Sequence, residues 1–273
     1  MSSMKRIIKL NRNRQRAIRE KDFRKFYTFS CKIHLIERMD KVPIGSYILK
    51  QGEKEMENAI NNNNITLVGV VEREPEYSHE VFGEGYYIFM IKCSRTSGNK
   101  DVLPVMISDR LTDITEIKAG QVVTVLGQIR SFNKHTDNVK SKLILTVFAR
   151  EFEVLAQDSK ELPFEDNTNM VILDAYICKP PVYRCTPKGR EIADILVAVN
   201  RPYGKSDYIP CIAWGRNARF AGGLEAGEHI QIQGRFQSRE YTKKISDNEI
   251  ETRVVYEVSV SRIDYAEEGE ANA

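Results

Sequence analysis

With 273 residues, 41% of them apolar, the chain has material for one large domain or two small β modules of about 100 residues each. No apolar run reaches the roughly 18 residues of a membrane-spanning helix, which excludes that class. The net charge of +3 conceals an asymmetry: residues 1–55 carry 15 Lys/Arg against 6 Asp/Glu and the remainder 26 against 32, so the total says little about partners and the argument rests on how charges and rings are placed.

In chain order the first element is a basic leader, residues 1–60, expected as a partly helical extension. Its run KRIIKLNRNRQRAIREKDFRK has two readings: an arm attracted to phosphates, or an upstream extension of the reading frame with the true start at Met56. Gln51-Gly52-Glu53 can be encoded by CAA GGA GAA, a purine-rich stretch suited to ribosome binding, which favours the second. No continuous apolar core with a small-residue cleavage site is present, and Glu20 and Asp22 argue against an Arg-rich transit peptide. Cys31, Cys93, Cys178, Cys185 and Cys211 are scattered and never spaced CxxC, as expected of reduced thiols in a cytoplasmic protein.

An internal repeat organises the rest. ITLVGVVEREPEY at 65–77 lies over VILDAYICKPPVY at 171–183, an offset of 106 residues that also carries Pro104 onto Pro210 and Arg110 onto Arg216. One residue of drift brings AGQVVTVLGQIRS, from Ala119, over AGEHIQIQGRFQS, from Ala226. Solenoid repeats run about 20 to 50 residues, so this spacing signals a duplicated domain. Within each copy the apolar residues keep a period of two, as in Ile195, Val197 and Val199 and in Tyr256, Val258 and Val260, which predicts half-buried strands. Between the third and fourth strands, residues 109–117 and 216–224 have helical or turn character. Strand, strand, strand, short helix, strand, strand is the order of a five-stranded Greek-key barrel of the OB type.

The expected fold class is therefore all-β: two tandem OB-fold Greek-key barrels behind a basic, partly helical N-terminal extension. The expected boundaries are 1–60 for the extension, 61–156 for the first barrel, 157–169 for a polar acidic linker (QDSKELPFEDNTN), 170–265 for the second barrel and 266–273 for an acidic tail.

In the second copy Tyr203, Tyr208, Trp214 and Tyr241 are interleaved with Arg201, Arg216, Arg235, Arg239 and Lys243. Rings beside cations suit an unpaired nucleic acid: a base stacked on a ring is worth roughly 1–3 kcal/mol whatever the sequence, while cations follow the phosphates. Each residue has a plainer alternative: Trp214 as a core residue ending an apolar strand, Tyr241 as a loop tyrosine, the arginines as solvated surface charges. At the same offsets the first copy has Ser97, Val102, Ser108 and Lys134, so that ring set is missing there; Phe132 and His135 lie near the last position, and Arg95 and Arg110 remain as phosphate contacts. The first barrel is thus expected to be either a weak electrostatic site or a structural half.

GREIADILVAVNRPYGKSDYIPCIAWGRNA, LEAGEHIQIQGRFQSREY and YEVSVSRIDY, in this order, closely resemble the bacterial single-stranded DNA-binding protein family over 170–265. The resemblance implies base stacking by Tyr203, Tyr208, Trp214 and Tyr241, single-stranded DNA as partner, roles in replication, recombination and repair, and a homodimer bringing four OB-folds together. It also implies a nucleoid-associated cytoplasmic protein. Family members commonly end in an acidic tail with a terminal Pro-Phe that recruits replication and repair enzymes. Here the last residues are Glu270-Ala271-Asn272-Ala273, and Leu162-Pro163-Phe164 in the acidic linker lacks the free carboxylate.

Two rivals are a primosome-type or phage/plasmid interaction module with weak DNA binding, and an RNA-binding barrel of the cold-shock kind. Catalysis is not expected. His34, His79, His135 and His229 belong to no HExxH, metal set or triad, and no GxxxxGK[ST] or GxSxG occurs, so no catalytic residue, cofactor or metal is assigned.

Overall fold

A computed structural model describes residues 62–95, 97–136, 139–156, 169–201, 204–246 and 249–266. The expected leader, the Met56 start, Tyr203, most of the acidic linker and nearly all of the tail lie outside them. Among the described residues eleven strands form one continuous sheet. The first five are β1 (Asn63–Val81), β2 (Glu84–Ser94), β3 (Lys100–Ser108), β4 (Val122–Thr136) and β5 (Val139–Ala156). They pair in the ring β1-β2-β3-β5-β4-β1, every contact antiparallel except β3 with β5.

The other six are β6 (Asn169–Ile177), β7 (Val182–Cys185), β8 (Glu191–Asn200), β9 (Ser206–Trp214), β10 (His229–Ser246) and β11 (Glu249–Tyr265). The same ring closes as β6-β8-β9-β11-β10-β6, with β9 and β11 parallel. The one difference in strand count has a local cause. Pro181 matches Pro75, which β1 accommodates at a register shift, but Pro180 stands where β1 has Glu74, and two successive residues without an N–H for the ladder split the first strand of the second ring into β6 and β7.

The segment between the third and fourth strands also differs. In the second ring it forms a helix, α1 (Arg216–Ala221), which buries Ala218 and Ala221, three positions apart, with Leu224 following. The first ring has only the 3-10 turn Ile114–Glu116, capped by Asp113, whose carboxylate accepts from the Thr115 N–H at 2.9 Å. Only Ile117 goes inside there.

Alternation along the strands fills each interior. Leu67, Phe89, Leu103, Val125 and Val147 are fully buried in the first ring, and Leu173, Val197, Ile209, Ile232 and Val258 in the second. Gly127 and Gly234 sit at register shifts where β4 and β10 bend over their partners. A Cβ at Gly127 would lie 2.1 Å from the Phe148 carbonyl oxygen, and one at Gly234 2.4 Å from that of Ser259, so only glycine permits these crossings.

The rings join edge to edge through β1 and β6, antiparallel, with Asn63 opposite Leu173, Ile65 opposite Val171 and Leu67 opposite Asn169. The 106-residue offset maps Asn63 onto Asn169 and Leu67 onto Leu173, so this ladder maps onto itself: a pseudo-two-fold axis passes beside Ile65 and Val171. Side chains repeat the symmetry. The buried Asn63 amide brackets the Ile129 backbone at 2.7 and 2.9 Å, and Asn169 brackets Phe236 at 2.5 and 2.9 Å.

Two buried carboxylates tie the rings across the axis. Asp207 of β9 accepts from the Ser131 N–H of β4 at 2.5 Å and binds both Arg130 and Arg201. Asp101 of β3 accepts from the Ser238 N–H of β10 at 2.9 Å and binds both Arg95 and Arg235. Both carboxylates have 1% exposure or less. Burial and the neighbouring Arg201 charge lower the Arg130 pKa, and Asp207 partly restores it.

Candidate nucleic-acid interface

Strand β9 lies between β8 and β11, and its alternation decides which side chains reach solvent. Asp207, Ile209, Cys211 and Ala213 point inward; Tyr208 and Trp214 point outward, 48% and 42% exposed. Trp214 is therefore an exposed ring on a central strand and not the core residue that its apolar surroundings allowed. Beside it runs a groove of about 890 Å³, whose walls include Trp214, Ile192, Arg184, Gln237 and Arg239. Tyr241 follows Arg239 by two residues on β10 and is half-buried, opposite Arg253 on β11.

The far wall of this groove comes from the other barrel: Arg95, Asn99 and Lys100. Glu257 forms part of the floor. It accepts from Gln237 at 2.9 Å and from Arg239 at 3.2 Å, while Arg184 holds Asp194 at 2.9 Å. Arg239 is 52% exposed while its partner Glu257 is 10% exposed, so the guanidinium presents solvent-facing N–H groups while it holds the carboxylate. Cys211 behind the groove has its thiol pushed up by burial, and Cys93 in the first barrel is pushed up to about 12 for the same reason, so neither is a nucleophile at neutral pH.

The sequence-derived residues do not all meet in this groove. Arg201 turns away from Trp214: it engages Asp207, donates to the Ser131 carbonyl at 3.2 Å and lines a groove on the first barrel. Arg235 reaches Asp101 of the first barrel and is only 28% exposed. Tyr208 stands at the seam, its N–H donating to Ser131 Oγ at 2.8 Å. Arg216 is exposed at the start of α1, directly after Trp214 and Gly215. Lys243 belongs to β10, and its side chain is outside the described residues.

Sequence reasoning missed Arg95, Lys100 and Arg184 as walls of the Trp214 groove. The repeat offset had already aligned Arg95 with Arg201, but the crossing over is a property of the pseudo-two-fold: each barrel's arginine faces the other barrel's groove. No local sequence signal encodes that exchange. Among the described residues no group of three or more His, Cys, Asp and Glu side chains is arranged to hold a metal ion, and no helix is long and apolar enough to cross a membrane.

Closed five-stranded rings with an outward groove across their central strands define an OB-fold protein. Residues 168–264, which comprise nearly all of the second barrel, match the model described as the single-strand binding protein family. Over 106 residues the chain is 31% identical to a single-stranded DNA-binding protein of Halalkalibacterium halodurans, covering 36% of this chain and 61% of that one. Over 80 residues it is 35% identical to single-stranded DNA-binding protein A of Bacillus subtilis, covering 27% and 46%. The chain thus spans 61% and 46% of the lengths of these two curated relatives. The wild-type single-stranded DNA binding protein from Thermus aquaticus has the same fold at 20% identity, with a TM-score of 0.59 over 77% of this chain and 96% of that one.

Proposed function

We propose that this protein binds and coats single-stranded DNA, without catalysis, as a protector of unpaired strands in replication, recombination and repair. The observation that carries the reading is Trp214, an exposed ring in a groove whose cations arrive from both barrels. Bases stack on Trp214, with Tyr208 and Tyr241 extending the platform and Tyr203 as a further stacking residue. Phosphates are followed by Arg239, Arg184, Arg95 and Lys100, with Arg216 and Lys243 at the ends. Arg201 and Arg235 contribute chiefly by holding the barrels in register.

In this reading the chain is organised as OB-fold modules at 61–156 and 170–265, joined by the linker 157–169, with the basic leader and acidic tail outside them. A homodimer brings four barrels together. Met170 and Ile172, 48% and 39% exposed on the outer face of β6 beside the barrel junction, supply an apolar surface for it. The cytoplasm, at the nucleoid, is the expected location.

Titration with oligo-deoxythymidylate tests the reading, because Trp214 is the sole tryptophan. Strong quenching of its fluorescence is expected, with affinity falling steeply as salt rises because each neutralised phosphate releases counterions. Replacing Trp214 and Tyr241 together by Ala should weaken binding by roughly 2–6 kcal/mol if each ring stacks one base. Binding with an unaltered Trp214 signal contradicts the groove assignment, and absence of binding favours the interaction-module reading.

A further inference from the structure

The hairpin of β1 and β2 has a counterpart in the hairpin of β7 and β8. The 106-residue offset carries Tyr77 onto Tyr183, Phe82 onto Lys188 and Gly83 onto Gly189. The two hairpins are opposite in charge. EREPEYSHEVFGE, 72–84, has five carboxylates and one arginine, whereas CKPPVYRCTPKGR, 178–190, has four Lys/Arg and no carboxylate. Glu72, Glu74 and Glu84 reach Lys92, Lys118 and Arg110, but among the described residues no ion pair engages the exposed Glu76 and Glu80. On the basic hairpin Arg184 holds Asp194, while the exposed Lys188 and Arg190 have no acidic partner among the described residues.

The acidic hairpin also carries apolar surface at its tip. Phe82 is 100% exposed, with Tyr77 and Val81 at 61% and 42% beside it. Phe82 (φ +51°) and Gly83 (φ +75°) are the central pair of a two-residue turn that sets Val81 opposite Glu84. A turn with both φ values positive favours Asn or Asp before the Gly, so a bulky ring there works against the backbone and gains no burial in return. Neither the turn nor the core accounts for Phe82, which leaves a contact outside this copy.

The pairing of β1 with β6 decides where the hairpins lie. Each hairpin continues from the C-terminal end of its strand, and the two strands are antiparallel, so the acidic and basic hairpins leave opposite ends of the two-barrel body. Within one copy they point apart. A second copy placed end to end brings the acidic hairpin of one to the basic hairpin of the next. That hairpin offers a seat for a ring, because Val182 and Tyr183 are 54% and 42% exposed on β7, the last strand of the sheet.

We infer that the β1–β2 hairpin is a docking surface for a second copy of this chain. Phe82 and Val81 sit against Val182 and Tyr183 of the next copy's β7–β8 hairpin, and Glu76 and Glu80 face its Lys188 and Arg190. The contact is heterologous, so it adds copies head to tail and does not close on itself. It goes beyond strand binding and does not rest on it. Two hairpin tips make a small interface, so the association is weak, rises with protein concentration and is screened by salt. A basic foreign protein is the competing occupant; the complementary hairpin at the matching position of this same chain favours a second copy.

Sedimentation velocity of the full-length protein over a rising concentration series tests this at low and high salt. The wild type is expected to form larger species as concentration rises, and to lose them as ionic strength passes about 0.15 M. Phe82→Ala should lower the association constant roughly tenfold. Glu76→Lys with Glu80→Lys, and separately Lys188→Glu with Arg190→Glu, should each lower it about tenfold or more. An equimolar mixture of the two charge-reversed proteins should regain association, because each reversed hairpin then meets its complement. A wild type whose size ignores concentration and salt overturns the inference and points to the foreign partner. Reversed variants that associate like the wild type, or a mixture that stays apart, also overturn it. All five substituted positions are exposed, so the variants are expected to fold, and an unchanged melting temperature checks this.

Discussion

The two barrels differ where they face solvent and agree where they face each other. Across the junction the pairs Asn63 and Asn169, Arg95 and Arg201, Asp101 and Asp207, and Ser131 and Ser238 make matching contacts. In the grooves almost every matched position has changed: Ser108 for Trp214, Thr146 for Glu257, Phe148 for Ser259, Phe132 for Arg239. The duplicated scaffold thus keeps these four pairs while its grooves vary, although the second arginine at each junction carboxylate is unmatched: Arg130 stands at the repeat position of Gln237 and Arg235 at that of Gln128. Groove residues are turned to solvent, whereas junction residues must satisfy buried charges and backbone groups on both sides.

The most disruptive way to probe this equality is to remove a junction carboxylate. Asp207→Ala leaves Arg130 and Arg201 partly buried and uncompensated, and Asp101→Ala does the same to Arg95 and Arg235. Loss of one member of a buried ion cluster costs about 3–5 kcal/mol, so both variants should show large and similar falls in urea-unfolding free energy. Unequal losses would mean that one barrel carries the joint and the apparent symmetry is only geometric.

A gentler comparison uses the two bracketing amides. Asn63→Ala and Asn169→Ala each strand the N–H and C=O of one β4 or β10 residue, Ile129 or Phe236, both fully buried. About 1–3 kcal/mol is expected at each site. Hydrogen exchange at the Ile129 and Phe236 amides should rise in the matching variant, and a rise in only one of the two would separate the barrels energetically.

Much of the barrel was legible because its signals are local. The period-two runs around Ile195 and Val258 and the duplicated AGQVVTVLGQIRS and AGEHIQIQGRFQS blocks mark strands that must each bury one face. Trp214 was picked out by the cations around it, but its exposure against a core position was left open until β9 turned Asp207, Ile209, Cys211 and Ala213 inward. What was not legible depends on contacts between distant segments. Arg201 and Arg235 look like phosphate ligands in the sequence; Arg201 meets Asp207 across its own β8–β9 hairpin, but only the antiparallel pairing of β1 with β6 brings Asp101 within reach of Arg235. Phe148 is hidden among the alternating residues of β5, and its neighbours Tyr86 and Met106 are set by register with β2 and β3.

The subtlest contrast concerns the position where one barrel has Trp214 and the other Ser108. Ser108 is turned in, 8% exposed, and its hydroxyl donates to the Glu84 carboxylate at 2.5 Å. That bond is the main reason the Glu84 pKa falls below its ordinary 4.5, with Tyr86 and Arg110 adding to it. A carboxylate held below its unfolded value stabilises the fold above pH 4.5, and the contribution disappears as pH falls through the lower folded value. Ser108→Ala removes the largest cause, so the variant should melt lower than the wild type above pH 4.5, with a shallower acid limb that converges on the wild-type curve as pH falls through the folded value. Coincident acid limbs would mean that the Ser108 bond does not set the Glu84 ionisation. Trp214 has no such bond in its barrel: Ile192 is its partner on β8 where Tyr86 is the partner of Ser108, and Arg190 stands at the repeat position of Glu84.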